Sequence, residues 1–234
     1  MVISELVQRS PIRVLDQAIH GGLKAGELGV IAAPSGIGKT SVLVQIGLDK
    51  LLQGKKVIHV SFTQHTDYVL VWYKDIFNAF IKKRNLQNEK DVKDEIEKNR
   101  VLMKFNQEGL TVDQILKSIR ALIKEGGFNA DALIVDGLNF SKVTETHIAA
   151  LKAFAAEMGV SIWFSCTVKA EEASYDKRNI PLVIKNYADT FAVIVVLEPK
   201  QDNITLTVSR DRDEHIPEDL ALKLDPKTLL VLEH

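Results

Sequence analysis

Residues 33–40 read Ala33-Pro34-Ser35-Gly36-Ile37-Gly38-Lys39-Thr40. The spacing, a small residue, four variable positions and then Gly-Lys-Thr, is that of a phosphate-binding loop. Gly36 and Gly38 let the backbone curl so that successive N–H groups, from Ser35 and Ile37 onward to Ser41, surround an anion, with Pro34 shaping the entry to the loop. Lys39 supplies an ammonium for the outer phosphates, and the Thr40 hydroxyl completes a Mg²⁺ shell. The positive dipole end of the helix that starts here adds to the field. The context is what such a loop requires. Leu28-Gly29-Val30-Ile31-Ala32 ahead of it is a buried-strand run, and residues 41–48 behind it have a helical pattern closed by Gly54.

This beginning constrains the rest. Short apolar runs rich in β-branched residues alternate with amphipathic stretches, which predicts a mostly parallel sheet covered by helices on both faces. Strands are expected over 28–32, 57–62, 101–105, 131–135 and 160–165, and helices over 39–53, 66–84, 112–125 and 145–158. Thr111 and Gln114 form a capping box for the third helix, Gly126-Gly127 end it, and Gly159 closes the fourth. The charged stretch 82–100, with mixed signs around Val92 and Ile96, reads as a solvated helix. After residue 186 only turns separate the apolar runs 191–197, 204–208, 220–224 and 229–231, a C-terminal antiparallel hairpin extension of the same sheet. The expected organisation is one nucleotide-binding domain over 1–231, with 232–234 resembling a tag junction.

Composition excludes several classes. With 46% hydrophobic and 26% charged residues and a net charge of −1, the chain has no global field to recruit nucleic acid or an anionic membrane. Its single cysteine, Cys166, cannot form an internal disulfide, which suits a reducing compartment and a cytoplasmic location. No secretory signal pattern or membrane-length apolar run is found.

Ala132-Leu133-Ile134-Val135-Asp136 is an apolar strand ending in a carboxylate. At this distance from the phosphate loop, Asp136 fits the partner that accepts from Thr40 and holds Mg²⁺ partly through water. With it, the lead-in Leu15-Asp16, Gly21-Gly22-Leu23 and Gly26-Glu27 makes the chain resemble the RecA superfamily, in particular KaiC-like proteins, RadA-like proteins and DnaB-type helicase cores. The resemblance implies a RecA-like core, ATP as nucleotide, and a homo-oligomeric ring or filament with ATP at subunit interfaces.

It also implies where this chain departs from its relatives. They end the strand after the phosphate-loop helix with one or two glutamates that activate water. Here those positions hold Thr63 and Gln64, neither of which accepts a proton at neutral pH. Arg210 and Arg212 occupy the place of a Lys-x-Arg pair that reaches a neighbour's γ-phosphate. On an extended segment they would project to one side and meet one anion. Cys166 and Thr167 take the position of a γ-phosphate sensor. The loops 137–144 and 169–186 correspond to nucleic-acid-contacting loops, but Lys169, Lys177, Arg178 and Lys185 are interleaved with acids, so nucleic acid is not favoured. The expected function is an ATP-binding assembly or switch module with weak or absent hydrolysis. An active DNA-dependent ATPase is the alternative, and a small-molecule kinase is disfavoured.

Overall fold

The computed structural model describes residues 10, 12–63, 65–82, 89–106, 111–169, 174–212, 222–225 and 230–232. Its helices are α1 (Ile12–Ala18), α2 (Lys39–Leu52), α3 (Thr66–Lys82), α4 (Glu89–Lys98), α5 (Val112–Lys124) and α6 (Glu145–Met158). Its strands are β1 (Leu28–Ala33), β2 (Val57–Ser61), β3 (Arg100–Lys104), β4 (Ala132–Asp136), β5 (Ser161–Thr167), β6 (Val193–Pro199), β7 (Ile204–Asp211) and β8 (Leu222–Leu224). They form one eight-stranded sheet in the order β3-β2-β4-β5-β1-β6-β7-β8. The first six in that order run parallel, and β7 and β8 add antiparallel at one edge.

Strand alternation divides the core into two layers. Ile31, Ala33, Ala132, Ile134 and Trp163 pack on one face with α2 and α3. Val30, Ala32, Leu133, Val135, Phe164 and Cys166 pack on the other with α5 and α6. Burial on both faces explains why β1 and β4 are apolar at nearly every position, while β2 buries His59 and Ser61 among its apolar residues. Gly29 pairs with Trp163 across β1 and β5. A Cβ at Gly29 would come within 2.8 Å of both that ring and Leu23. The glycine makes room for one of the largest buried side chains, whose burial contributes about 2–3 kcal/mol.

The helix boundaries follow the expected signals. Thr111 accepts from the Gln114 N–H, and the Gln114 side chain accepts from the Thr111 N–H. Gly159 takes the left-handed conformation, φ 66°, at the end of α6.

Two expectations are corrected. The strand expected over 191–197 begins at Val193, because Phe191 is preceded by the 3₁₀ segment Leu182–Thr190. Its apolarity serves the aromatic cluster with Phe140, Phe164 and Tyr187. Of the run 229–231, the described residues 230 and 231 contribute one bridge, Leu224 to Val231. Within the loop 169–186, Tyr175 bridges Pro181, and the N–H groups of Arg178 and Ile180 donate to the Asp176 carboxylate. Residues 220–221, 229 and Gln64, and the tag-like end 233–234, lie outside the described residues.

Candidate nucleotide site

β1 delivers the chain into the loop 34–38 at the carboxyl end of the parallel strands, the usual ligand crevice of such sheets. Gly36 and Gly38 hold φ values of 82° and 105°, which only glycine adopts without strain. A Cβ at Gly36 would meet nothing within 4 Å, so the loop encloses open space. Lys39 Nζ donates to the carbonyls of Ala33 at 3.0 Å and Pro34 at 2.7 Å, arching over the loop. Burial depresses the Lys39 pKa, while the Asp136 carboxylate pulls it back toward the charged form.

Period-two alternation places Asp136 on the sheet face shared with Ala132 and Ile134, the face that α2 covers. Its Oδ2 accepts from the Thr40 hydroxyl at 2.9 Å and its Oδ1 from the Ser165 hydroxyl at 2.6 Å. The Gly137 N–H donates to Ser165 Oγ at 2.7 Å. A cleft of about 310 Å³ opens here, lined by Ser35, Gly36, Gly38, Lys39, Thr40, Ser41, Thr63, Trp72, Asp136, Gly137, Ser165 and Thr167. An open glycine cradle, an adjacent ammonium and a paired hydroxyl and carboxylate fit a polyphosphate with a divalent cation.

Among the described residues Asp136 is the one carboxylate lining this cleft. Thr63 is exposed and lies against the Asp136–Gly137 turn, where a Cβ on Gly137 would come within 2.8 Å of its hydroxyl. His65 does not line the cleft and pairs with Asp67 at 3.1 Å. The two expected sensor residues diverge. Thr167 reaches the cleft, whereas Cys166 points into the opposite core layer, where burial raises its thiol to about 12.

Arg210 and Arg212 do not converge. β7 runs antiparallel to β6, so both lie beside its first residues, at the opposite end of the sheet from the phosphate loop. Arg210 donates to the Phe191 carbonyl at 2.9 Å and to Asp189 at 3.1 Å. Arg212 has a φ of 52°, which rotates it out of the strand alternation. All five of its N–H donors are engaged within the chain, by both Glu27 oxygens, the Ile19 and Gly22 carbonyls, and Asp211. Burial works against the Glu27 charge, but the Arg212 hydrogen bonds prevail and hold its carboxyl below the usual range. The lead-in Gly-Gly and Gly-Glu are thus one half of an arginine clamp.

Sequence reasoning missed two cleft residues, Ser165 and Trp72. Pairing β5 beside β4 and counting every second residue from Trp163 would have put Ser165 on the Asp136 face. No local signal marks Trp72, which lies mid-helix.

The comparisons agree with this geometry. The family model for the AAA domain matches residues 3–163, most of the chain. The chain belongs to that family, and it is a RecA-superfamily P-loop ATPase by class. It is similar to the DNA repair protein RadA of Aquifex aeolicus (strain VF5), 49% identical over 47 residues. That match covers 20% of this chain and 10% of the RadA protein, so the chain matches about a tenth of the relative's length. Among the described residues no helix is long and apolar enough to cross a membrane.

Proposed function

We propose that this protein binds ATP with Mg²⁺ at the 34–41 loop and acts as a nucleotide-dependent assembly or switch module that hydrolyses ATP slowly or not at all. The observation that carries this reading is the pairing of a complete phosphate cradle with a cleft in which Asp136 is the single carboxylate among the described residues. Both Asp136 oxygens already accept hydroxyl hydrogen bonds, and the carboxylate faces the cation position, so it is poorly disposed to take a proton from water. Lys39 would meet the outer phosphates, and Thr40 with Asp136 would hold the cation. Bound Mg²⁺ supplies charge neutralisation of the phosphates.

Lys39→Ala tests the site. A nucleotide at about 100 times its dissociation constant stabilises its host by about 2.7 kcal/mol, a shift plain in a melting scan. Wild type should show that shift with ATP and Mg²⁺, and Lys39→Ala should lose it. An equal shift in both would remove the loop from the binding site.

The second reading is a DNA-dependent ATPase. Its support is the similarity to RadA and the exposure of Lys169, Lys177, Arg178 and Lys185. ATP turnover measured with and without single-stranded DNA separates the two. Turnover of several per second, stimulated by DNA, would move the second reading to first place.

A further inference from the structure

Ser165 is 2% exposed and lies on β5, between the strand that feeds the phosphate loop and the strand that carries Asp136. Its hydroxyl has two partners, one for its proton and one for a lone pair. It donates to Asp136 Oδ1 at 2.6 Å and accepts the Gly137 N–H at 2.7 Å. Asp136 Oδ2 is the oxygen paired with Thr40. Ser165 therefore fixes the rotation of the carboxylate plane from behind, and it fixes the backbone at Gly137, whose φ of 84° brings that turn against Thr63. A carboxylate restrained on one oxygen presents the other in a single direction.

We propose that Ser165 is a positioning residue for the divalent cation, holding Asp136 so that its Thr40-facing oxygen serves the metal. This rests on the reading of the cleft as a Mg²⁺–nucleotide site. Hydrogen-bond partners that orient a metal-site carboxylate alter metal affinity by about 10- to 100-fold when removed. The Ser165 hydroxyl is engaged by Asp136 and Gly137, so its removal should tell most where the cation is present.

The experiment measures binding of a fluorescent ATP analogue to wild type, Ser165→Ala and Ser165→Thr, in excess EDTA and across a Mg²⁺ titration. Ser165→Ala should require about tenfold more Mg²⁺ than wild type to reach the tighter state, and any loss of affinity in EDTA should be smaller than the loss with Mg²⁺. Ser165→Thr keeps the hydroxyl and should restore the wild-type Mg²⁺ midpoint. An unchanged midpoint in Ser165→Ala overturns the proposal. So does an equal loss of affinity with and without Mg²⁺, which marks a purely structural serine. Should Ser165→Thr fail to fold, Mn²⁺ binding to Ser165→Ala in place of Mg²⁺ decides on the same criterion. If wild type binds the analogue under neither condition, the nucleotide reading itself fails, and that result is distinct from the other two.

Discussion

At the scale of single residues, competing terms can be set against each other at Gly47 on α2. Glycine in a helix costs about 1 kcal/mol relative to alanine, so propensity alone favours Gly47→Ala. A Cβ there would collide with the Tyr73 hydroxyl. That hydroxyl cannot retreat, because Tyr73 is buried, contacts His59 Nδ1 at 3.2 Å and lies beneath the Arg100 guanidinium, 4.6 Å from its ring centroid. Overpacking costs about 1–3 kcal/mol and wins. Gly47→Ala should lower the denaturation midpoint in urea, and an unchanged or raised midpoint would show that the ring yields. Thr63 offers the complementary test in the cleft. It is exposed beside Gly137, so a longer acidic side chain has room. Thr63→Glu should raise ATP turnover, by up to about 10²-fold for a well-placed base. No gain in a steady-state assay would place the missing base elsewhere.

At the scale of elements, α1 docks on the back of the phosphate-loop helix through charge. Arg13 bridges Asp16 at 3.3 Å and Asp49 at 3.0 Å, and the Gln53 amide donates to Asp49 at 2.6 Å. Burial pushes the Asp49 carboxyl up to about 6, against the lowering influence of Arg13. Its folded pKa thus exceeds its unfolded value. Its stabilising contribution is full below the unfolded pKa and is lost as pH rises from about 4 through about 6. His59 has the opposite sign. Burial lowers it to about 4, so its contribution is present above its unfolded value of 6.5 and is lost as pH falls toward 4. The two windows overlap and offset each other in wild type. Asp49→Asn, which mimics the neutral acid, should therefore gain stability over wild type as pH rises from 4 to 7, by about 2–3 kcal/mol. Melting temperatures of both proteins across that range check it, and parallel curves would refute the perturbed Asp49. This latch was not legible in the sequence. Asp49 and Lys50 look like ordinary helix-surface charges until α1 covers them. The phosphate loop, the Thr111–Gln114 capping box and β4 were legible because each is written within a few consecutive residues. The 3₁₀ segment before β6 was not, since Phe191 reads as strand until its aromatic neighbours are known.

At the scale of the whole molecule, the two late arginines show why sequence position underdetermines role. Arg212 and Glu27 are separated by 185 residues, and no local pattern announces their pairing. Their clamp ties the lead-in before β1 to the end of β7, closing the antiparallel edge onto the start of the parallel core. Arg210 makes fewer backbone contacts of this kind, and its partner Asp189 is 83% exposed. The proposed assembly role can be tested separately at each arginine, because their surroundings differ. Arg212→Ala should lower the melting temperature of the protein with or without nucleotide, because it removes five hydrogen bonds to Glu27, Asp211 and the Ile19 and Gly22 carbonyls. Arg210→Ala should leave the melting temperature near wild type and weaken any assembly that ATP with Mg²⁺ induces. Sedimentation velocity with and without nucleotide, run beside a melting scan, reads both. If Arg210→Ala assembles as wild type does, the contacts of its guanidinium to Phe191 and Asp189 serve the fold and not an interface. If Arg212→Ala instead melts normally and fails to assemble, the clamp opens in the complex and Arg212 is the residue that crosses the interface.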